Sequence, residues 1–302
     1  MIPAETVIIA GPTGAGKTTL SLALAERLCG EIVGADAFQV YSGLPILTAQ
    51  PTPFQQSVVR HHLIGSVDPL ECYDAGRYLR EAAPILTSIV ARGRTPILVG
   101  GTGLYFKALL EGLDDLPPND PELRRELASL SLPALIQRLR AADPKAPDAI
   151  DLANRRRVER ALEIILLTGK PLAESRTNGG VKTPEPGLRA LLITRDREEL
   201  SARIQANVLS QFEQGVEVEV AEMPEERIGP TASMTLGLRE IRAVLRGEVT
   251  RIHAIEAITT ATRRYAKRQM TWFRNQHSFP TLNLSSFPDH DQAVEEALRL
   301  FK

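Results

Sequence analysis

The chain has 302 residues, 43% of them hydrophobic and 24% charged, with a formal net charge of −1. These proportions give room for one large or two modest domains with a real core, and they argue against a disordered chain. No apolar run reaches the ~20 residues of a bilayer span, and a near-neutral charge gives no global pull toward nucleic acid, so any such binding must rest on a local basic surface.

The N-terminus, MIPAETVIIAGPTG, carries no basic start before its apolar run, so it reads as neither signal nor transit peptide. TVIIA, EIVGA and TPILVG are expected as short buried strands. Between the first two, TTLSLALAERL reads as a helix ending at Gly30, and RYLREAAPILTSIVARG is a second helix with a C-terminal glycine. Strands alternating with helices point to a parallel α/β sheet with right-handed crossovers. Near residue 113 the character changes. NDPELRREL, SLPALIQRLRAAD and NRRRVERALEIILLTG read as helices, the last closed by Gly169, and TNGGVKTPEPG reads as a loop. ALLIT, residues 190 to 194, returns to the sheet. DREELSARIQANVLSQFEQG, a stretch near 233 to 246 and a long one from about 253 to 277 are expected as helices. The expected division is therefore an α/β core over 1–112 and 188–302, with an all-helical insertion over 113–187. Cys29 and Cys72, far apart and without CxxC spacing, suit a reducing compartment and are expected as small buried apolar residues. His61 and His62 read as part of a loop packed near the sheet.

GPTGAGKT, residues 11 to 18, satisfies GxxxxGK[ST] between a strand and a helix. Its glycines let backbone amides turn inward at a helix N-terminus, Lys17 places an ammonium between phosphates, and the Thr18 hydroxyl is set for Mg²⁺. The acid that closes a neighbouring strand in nucleotide hydrolases is missing, since TPILVGGTGLY ends in Gly100, Gly101 and Thr102. Asp36, just past the second strand, is the carboxylate best placed to look into the site, as a base or an outer-sphere metal partner rather than a turn acid.

These motifs, followed by DAFQVY, HHLIGSVDPLECYDAGRY, PILVGGTGLYFKALLEGL and KRQMTWFR, resemble in order those of the bacterial tRNA dimethylallyltransferases (tRNA isopentenyltransferases, the IPP transferase family) over about residues 6 to 275. The resemblance implies a P-loop NTPase-like parallel sheet flanked by helices, whose loop holds the diphosphate of dimethylallyl diphosphate instead of splitting ATP. It implies transfer of the prenyl group to N6 of the adenosine on the 3′ side of the tRNA anticodon, position 37, in tRNAs reading codons that begin with U. Mg²⁺ is the implied cofactor; the tRNA anticodon arm and dimethylallyl diphosphate are the implied partners of a cytoplasmic monomer that does not engage membrane.

Residue by residue, the resemblance makes Asp36 and Thr102 catalytic. It gives the diphosphate to Gly11, Pro12, Thr13, Gly14, Ala15, Gly16, Lys17, Thr18 and Arg203. Asp36, Ala37, Phe38 and Gln39 match the segment that receives the base, with Gln39 a reader of the adenine edge. Thr102, Arg124 and the run Arg156, Arg157, Val158, Glu159 and Arg160 match tRNA contacts. Arg263, Arg264, Lys267 and Arg268 share one helical face suited to phosphates, while Trp272 and Phe273 are expected in the core.

The pattern departs in places. Ala37 stands where the family has serine, and Pro45, Leu47 and Gln50 replace aspartate, glycine and lysine. Asn154-Arg155 replaces aspartate-proline, and Gly237-Leu238 replaces glycine-tyrosine. Three rival readings are a relative that prenylates free adenine nucleotides, a small-molecule kinase using ATP on the same loop, and a noncatalytic nucleotide switch. The helical insertion and the basic C-terminal helix favour tRNA over a free nucleotide, which needs neither.

Overall fold

The computed structural model describes residues 2–114, 116–117, 120–175 and 188–301. The loop expected over 177–187 lies outside them. Two compact units emerge, one over residues 1–110 and 182–302 and the other over 111–181.

The first unit is built on six strands: β1 (Val7–Ala10), β2 (Gly30–Ala35), β3 (His61–His62), β4 (Thr95–Gly100), β5 (Arg189–Thr194) and β6 (Thr281–Asn283). All pair in parallel, in the order β3-β2-β4-β1-β5-β6. β1, VIIA, is buried at every position, as a central parallel strand covered on both faces must be. The sheet carries α1 (Lys17–Arg27), α2 (Pro53–Val58), α3 (Ala75–Ala91) and α4 (Gly103–Glu111). In α3, Asp74 caps the N-terminus by accepting from the Arg77 amide, and Pro84 sits exposed mid-helix, where the carbonyl it leaves unpaired can reach water.

The second unit is helical: α5 (Pro121–Ser129), α6 (Leu132–Ala142), α7 (Arg155–Thr168) and α8 (Leu172–Ser175) close around Leu135, Leu139, Ala161 and Leu162. Asn154 and Arg155 find their reason here. The Asn154 side chain caps α7 by accepting from the Arg157 amide, as aspartate would. Arg155, at the first helical position, donates to the carbonyls of Ala128 and Leu130 at 2.8 Å, satisfying the C-terminal end of α5. Gly169 ends α7 in the left-handed conformation, as its position predicts.

The first unit then continues with α9 (Arg197–Glu213), α10 (Val216–Ala221), α11 (Leu238–Leu245), α12 (Arg251–Gln276) and, after β6, α13 (His290–Leu300). Two cores form here. One packs β1, β5 and α1 with α13 through Ile9, Leu20, Leu24, Leu191 and Val294. The other joins α9, α10, α11 and α12 with Leu44 and Leu47. Leu47 and Leu238, two of the departures, are thus core side chains. Among the described residues no helix is long and apolar enough to cross a membrane.

Several expectations need correction. His61 and His62 form the edge strand β3, and Glu31 of β2 accepts from or ion-pairs with His62 at 2.7 Å. The stretch expected as one helix near 233–246 is a 3₁₀ turn over Ala232–Met234 and then α11, because Gly237 adopts a left-handed conformation between them. Cys29 and Cys72 are exposed, since both fall on connections outside helices and strands.

Candidate active site

β4 lies between β1 and β2, so the turn that follows it separates the phosphate-binding loop from the Asp36 turn along one rim of the sheet. Gly100 is required there: a Cβ would lie 2.0 Å from the carbonyl oxygen of Ala35, and that same oxygen accepts the Thr102 amide hydrogen at 3.1 Å. Thr102 Oγ1 in turn accepts the Ala37 amide hydrogen at 2.9 Å. Asp36 Oδ1 accepts from the amides of Phe38 and Gln39, which holds the carboxylate in a tight turn. Among the described residues Asp36 Oδ2 takes no hydrogen bond, and it is the oxygen open to a ligand.

On the other side, Gly16 takes a left-handed conformation immediately before α1, letting the loop fold back on the helix N-terminus. Lys17 is half-buried and donates to the Pro12 carbonyl at 2.8 Å. Burial lowers its pKa to about 8, with Asp36 across the site pulling the other way. Two arginines brace the loop from outside: Arg203 Nε donates to the Gly14 carbonyl at 3.1 Å and Arg195 Nε to the Ala15 carbonyl at 2.9 Å. Burial, then the proximity of Arg195, pushes the Arg203 pKa down. With these carbonyls held, the loop amides not already bonded, as those of Thr13 and Ala15 are, can turn toward an anion.

A cleft beside the loop is lined by Thr13, Asp36, Phe38 and Tyr265 together with apolar Leu47, Ile204, Val208 and Ile258. It therefore combines an acidic and a phosphate-binding edge with a lining that suits a small hydrocarbon. The Phe38 and Tyr265 rings lie 6.4 Å apart. Burial and then Asp36 push the Tyr265 phenol up, against hydrogen bonds to Thr102 and Gln269.

The expected site residues divide clearly. The loop, Asp36, Thr102 and Arg203 converge in the first unit. Gln39 faces a different task from the one expected: its amide nitrogen donates to the carbonyls of Thr48 and Ala49, at 3.1 and 2.8 Å, and so ties the cleft wall. Gln50 likewise donates to Gln39 and Tyr41 carbonyls, so this departure from lysine holds backbone. In the second unit Arg156 and Arg157 are exposed, but Val158 is wholly buried and its side chain cannot meet a partner. Arg124 and Arg160 turn onto buried Glu163, at 3.0 and 2.6 Å, while Glu159 pairs with Arg155 at 2.7 Å. Arg263, Arg264, Lys267 and Arg268 are all exposed on α12. Phe273 is core, and the half-buried Trp272 ring lies where a Cβ on Gly103 would stand.

Sequence reasoning missed Tyr265, Arg195 and Gln269. Gln269 is buried, accepts from the Thr13 amide at 2.9 Å and donates to the Gly101 carbonyl at 3.0 Å. Its only signal was membership of KRQMTWFR.

The family model described as IPP transferase matches residues 39–276. A tRNA dimethylallyltransferase of Akkermansia muciniphila is 42% identical over 296 residues, 97% of this chain and 98% of that protein. Another, from Caulobacter sp. strain K31, is 42% identical over 277 residues, 89% of each. Among solved structures, the full-length tRNA isopentenylpyrophosphate transferase from Bacillus halodurans matches with a TM-score of 0.68 at 36% identity, over 99% of both chains. A eukaryotic dimethylallyltransferase acting on tRNA matches with a TM-score of 0.77 at 26% identity, over 95% of this chain and 77% of that one.

Proposed function

The chain belongs to the IPP transferase family, and from that premise we propose that it transfers a dimethylallyl group from dimethylallyl diphosphate to N6 of the adenosine at tRNA position 37. The observation that carries this reading is that Lys17 of the phosphate-binding loop and Asp36 feel each other's charge at one rim of the sheet, where Thr102 holds the backbone beside Asp36.

The adenine N6 is a feeble nucleophile because its lone pair is delocalised into the ring. As its bond to C1 of the prenyl group forms, the C1–O bond to diphosphate breaks, and Asp36 Oδ2 takes the proton that N6 must lose. Lys17 and the loop amides meet the charge that develops on the departing oxygen. Thr102 keeps Asp36 in register by holding the Ala37 amide. Leu47, Ile204, Val208 and Ile258, set in the cleft among polar Asn207, Gln211 and Thr262, give the five-carbon tail its apolar contacts. The base must first leave its stack, at a cost of ~a few kcal/mol.

Thr18, in the first turn of α1, fits an Mg²⁺ ion held chiefly by diphosphate oxygens and water. The site offers a hydroxyl, and among the described residues no group of three or more His, Cys, Asp or Glu could form a cage. When bound, the ion would neutralise diphosphate charge. For tRNA, the exposed Arg156 and Arg157 of the second unit and the exposed cations of α12 supply phosphate contacts on a chain of near-zero net charge, and we take it to act as a cytoplasmic monomer.

The test is prenyl transfer from dimethylallyl diphosphate with Mg²⁺ to unmodified tRNA, an anticodon stem-loop and AMP. Label on N6 of the tRNA adenosine and none on AMP supports the reading. Label on AMP alone moves the chain to nucleotide prenylation, and no label on any acceptor overturns prenyl transfer.

A further inference from the structure

Gln269 stands on the face of α12 that also presents Ile258, Thr262 and Tyr265 to the cleft, at spacings of four, three and four residues. One turn beyond Tyr265 the helix passes behind the rim, and there the amide of Gln269 meets two backbone segments that belong to different halves of the reaction. Its Oε1 accepts the Thr13 amide hydrogen at 2.9 Å, in the phosphate-binding loop. Its Nε2 donates to the Gly101 carbonyl at 3.0 Å, in the turn that carries Thr102. Because one partner is an N–H and the other a C=O, the orientation of the amide is fixed by chemistry. The fit is close: a Cβ on Gly101 would fall 2.2 Å from Gln269 Nε2. The Tyr265 phenol stands close enough to Thr102 and Gln269 for both to lower its pKa, and Thr102 holds the Ala37 amide beside Asp36.

We propose that Gln269 is a positioning residue that sets the distance and angle between the diphosphate loop and the Asp36–Thr102 turn, building on the prenyl-transfer reading above. Only a side chain with a donor and an acceptor on one terminal group can hold an N–H on one strand end and a C=O on the next. Methionine fills the same volume and holds neither. Ionised glutamate keeps the acceptor for Thr13, but it repels the Gly101 carbonyl and brings negative charge toward the phosphate loop. A role confined to folding predicts a lower melting temperature and unchanged kinetics of the protein that remains folded. A positioning role predicts losses in the reaction itself, because displacement of a reacting group by an ångström costs on the order of 10²-fold in rate.

The experiment compares wild type, Gln269→Met and Gln269→Glu by melting temperature, affinity for inorganic pyrophosphate, tRNA affinity, and kcat and KM with dimethylallyl diphosphate. Gln269→Met is expected to lower kcat by ~10- to 100-fold with weaker pyrophosphate binding and unchanged tRNA affinity. Gln269→Glu is expected to weaken pyrophosphate binding further still. Wild-type kcat and pyrophosphate affinity in either folded variant overturns the proposal, whatever happens to the melting temperature. If the wild type fails to use dimethylallyl diphosphate, the prenyl-transfer reading fails separately; weakened pyrophosphate binding in the variants would then still support positioning of the loop, and unchanged binding would overturn it.

Discussion

Thr102 Oγ1 receives the amide hydrogen of Ala37 at 2.9 Å, so a side chain at the end of one strand holds the backbone that follows another. The bond uses main chain at residue 37, so it asks nothing of the alanine side chain there. It also makes Thr102 the gauge of where the Asp36 carboxylate sits.

Thr102→Val keeps the shape and leaves the Ala37 N–H without its acceptor. Leaving that half-buried N–H unpaired lets the Asp36 turn shift, and a misplaced base should lower kcat by roughly ten- to a hundredfold. Thr102→Ser, which retains the oxygen, should keep most of the activity. Equal kcat in the valine variant and wild type would remove Thr102 from the mechanism.

Asp36→Asn keeps the Oδ1 that accepts from Phe38 and Gln39 and removes only the basic carboxylate. Turnover should drop by ~10²–10⁴-fold while tRNA binding, measured by filter retention, stays put. Parallel loss of binding would assign Asp36 to tRNA recognition instead.

Lys17 titrates at about 8 in the free protein because burial disfavours its charge. Below that pH the ammonium is present to meet diphosphate, and above it the free protein offers a neutral amine. The ratio kcat/KM for dimethylallyl diphosphate reports the free enzyme, so it should decline as pH rises through about 8. The stability sign is opposite to that of a favourable charge: the folded state bears the cost of the desolvated ammonium below about 8, and the penalty fades as pH climbs toward 10.5. Lys17→Met should therefore melt higher at neutral pH than wild type and be inactive; a lower melting temperature would contradict this.

Glu163 is buried, and burial alone would raise its pKa, but Arg160, Arg124 and the Asp120 amide outweigh it and hold the group below 4.5. Its stabilising contribution is full above that value and is lost as pH falls through the lower folded one. Glu163→Ala should cost about 3 kcal/mol, since it breaks a buried ion-pair cluster. Hydrogen exchange is the measurement: protection in α5 and α7 should collapse in acid before that of β1 and β4.

Four exposed cations, Arg263, Arg264, Lys267 and Arg268, offer phosphate contacts along α12. Arg268 lies over the Tyr265 ring at 5.7 Å, which orders it without neutralising it. Replacing all four by alanine should reduce the slope of log affinity for tRNA against log salt by up to about 3.6, at ~0.7–0.9 per contact. An unchanged slope would place the phosphate contacts elsewhere.

β1, β2, β4 and β5 were legible because their apolar runs are short, rich in Val and Ile and bounded by glycine or polar residues, which suits buried strands better than helices. β3 and β6 were not, since two histidines and Thr-Leu-Asn carry no periodic signal and become strands only by pairing with β2 and β5. The loop and Asp36 could be read because their chemistry is tied to local spacing. Arg203 and Arg124 look alike in sequence, yet one braces a phosphate-loop carbonyl and the other neutralises a buried acid. What separates them is the neighbour each meets in space. Gln269 was invisible for the same reason: its two partners lie 256 and 168 residues away.

Those separations have a consequence for how the protein is made. A ribosome adds ~5–20 residues per second, so the phosphate-binding loop waits on the order of ten seconds to a minute before its amide partner has even been synthesised. Until then the loop is a glycine-rich hinge at the start of an unfinished sheet, with β5 and β6 still to come on one flank. Catalytic competence therefore cannot accrue gradually along the nascent chain. It arrives in a late step, when α12 closes against the rim, and a chain truncated before that helix should hold strands yet no working site.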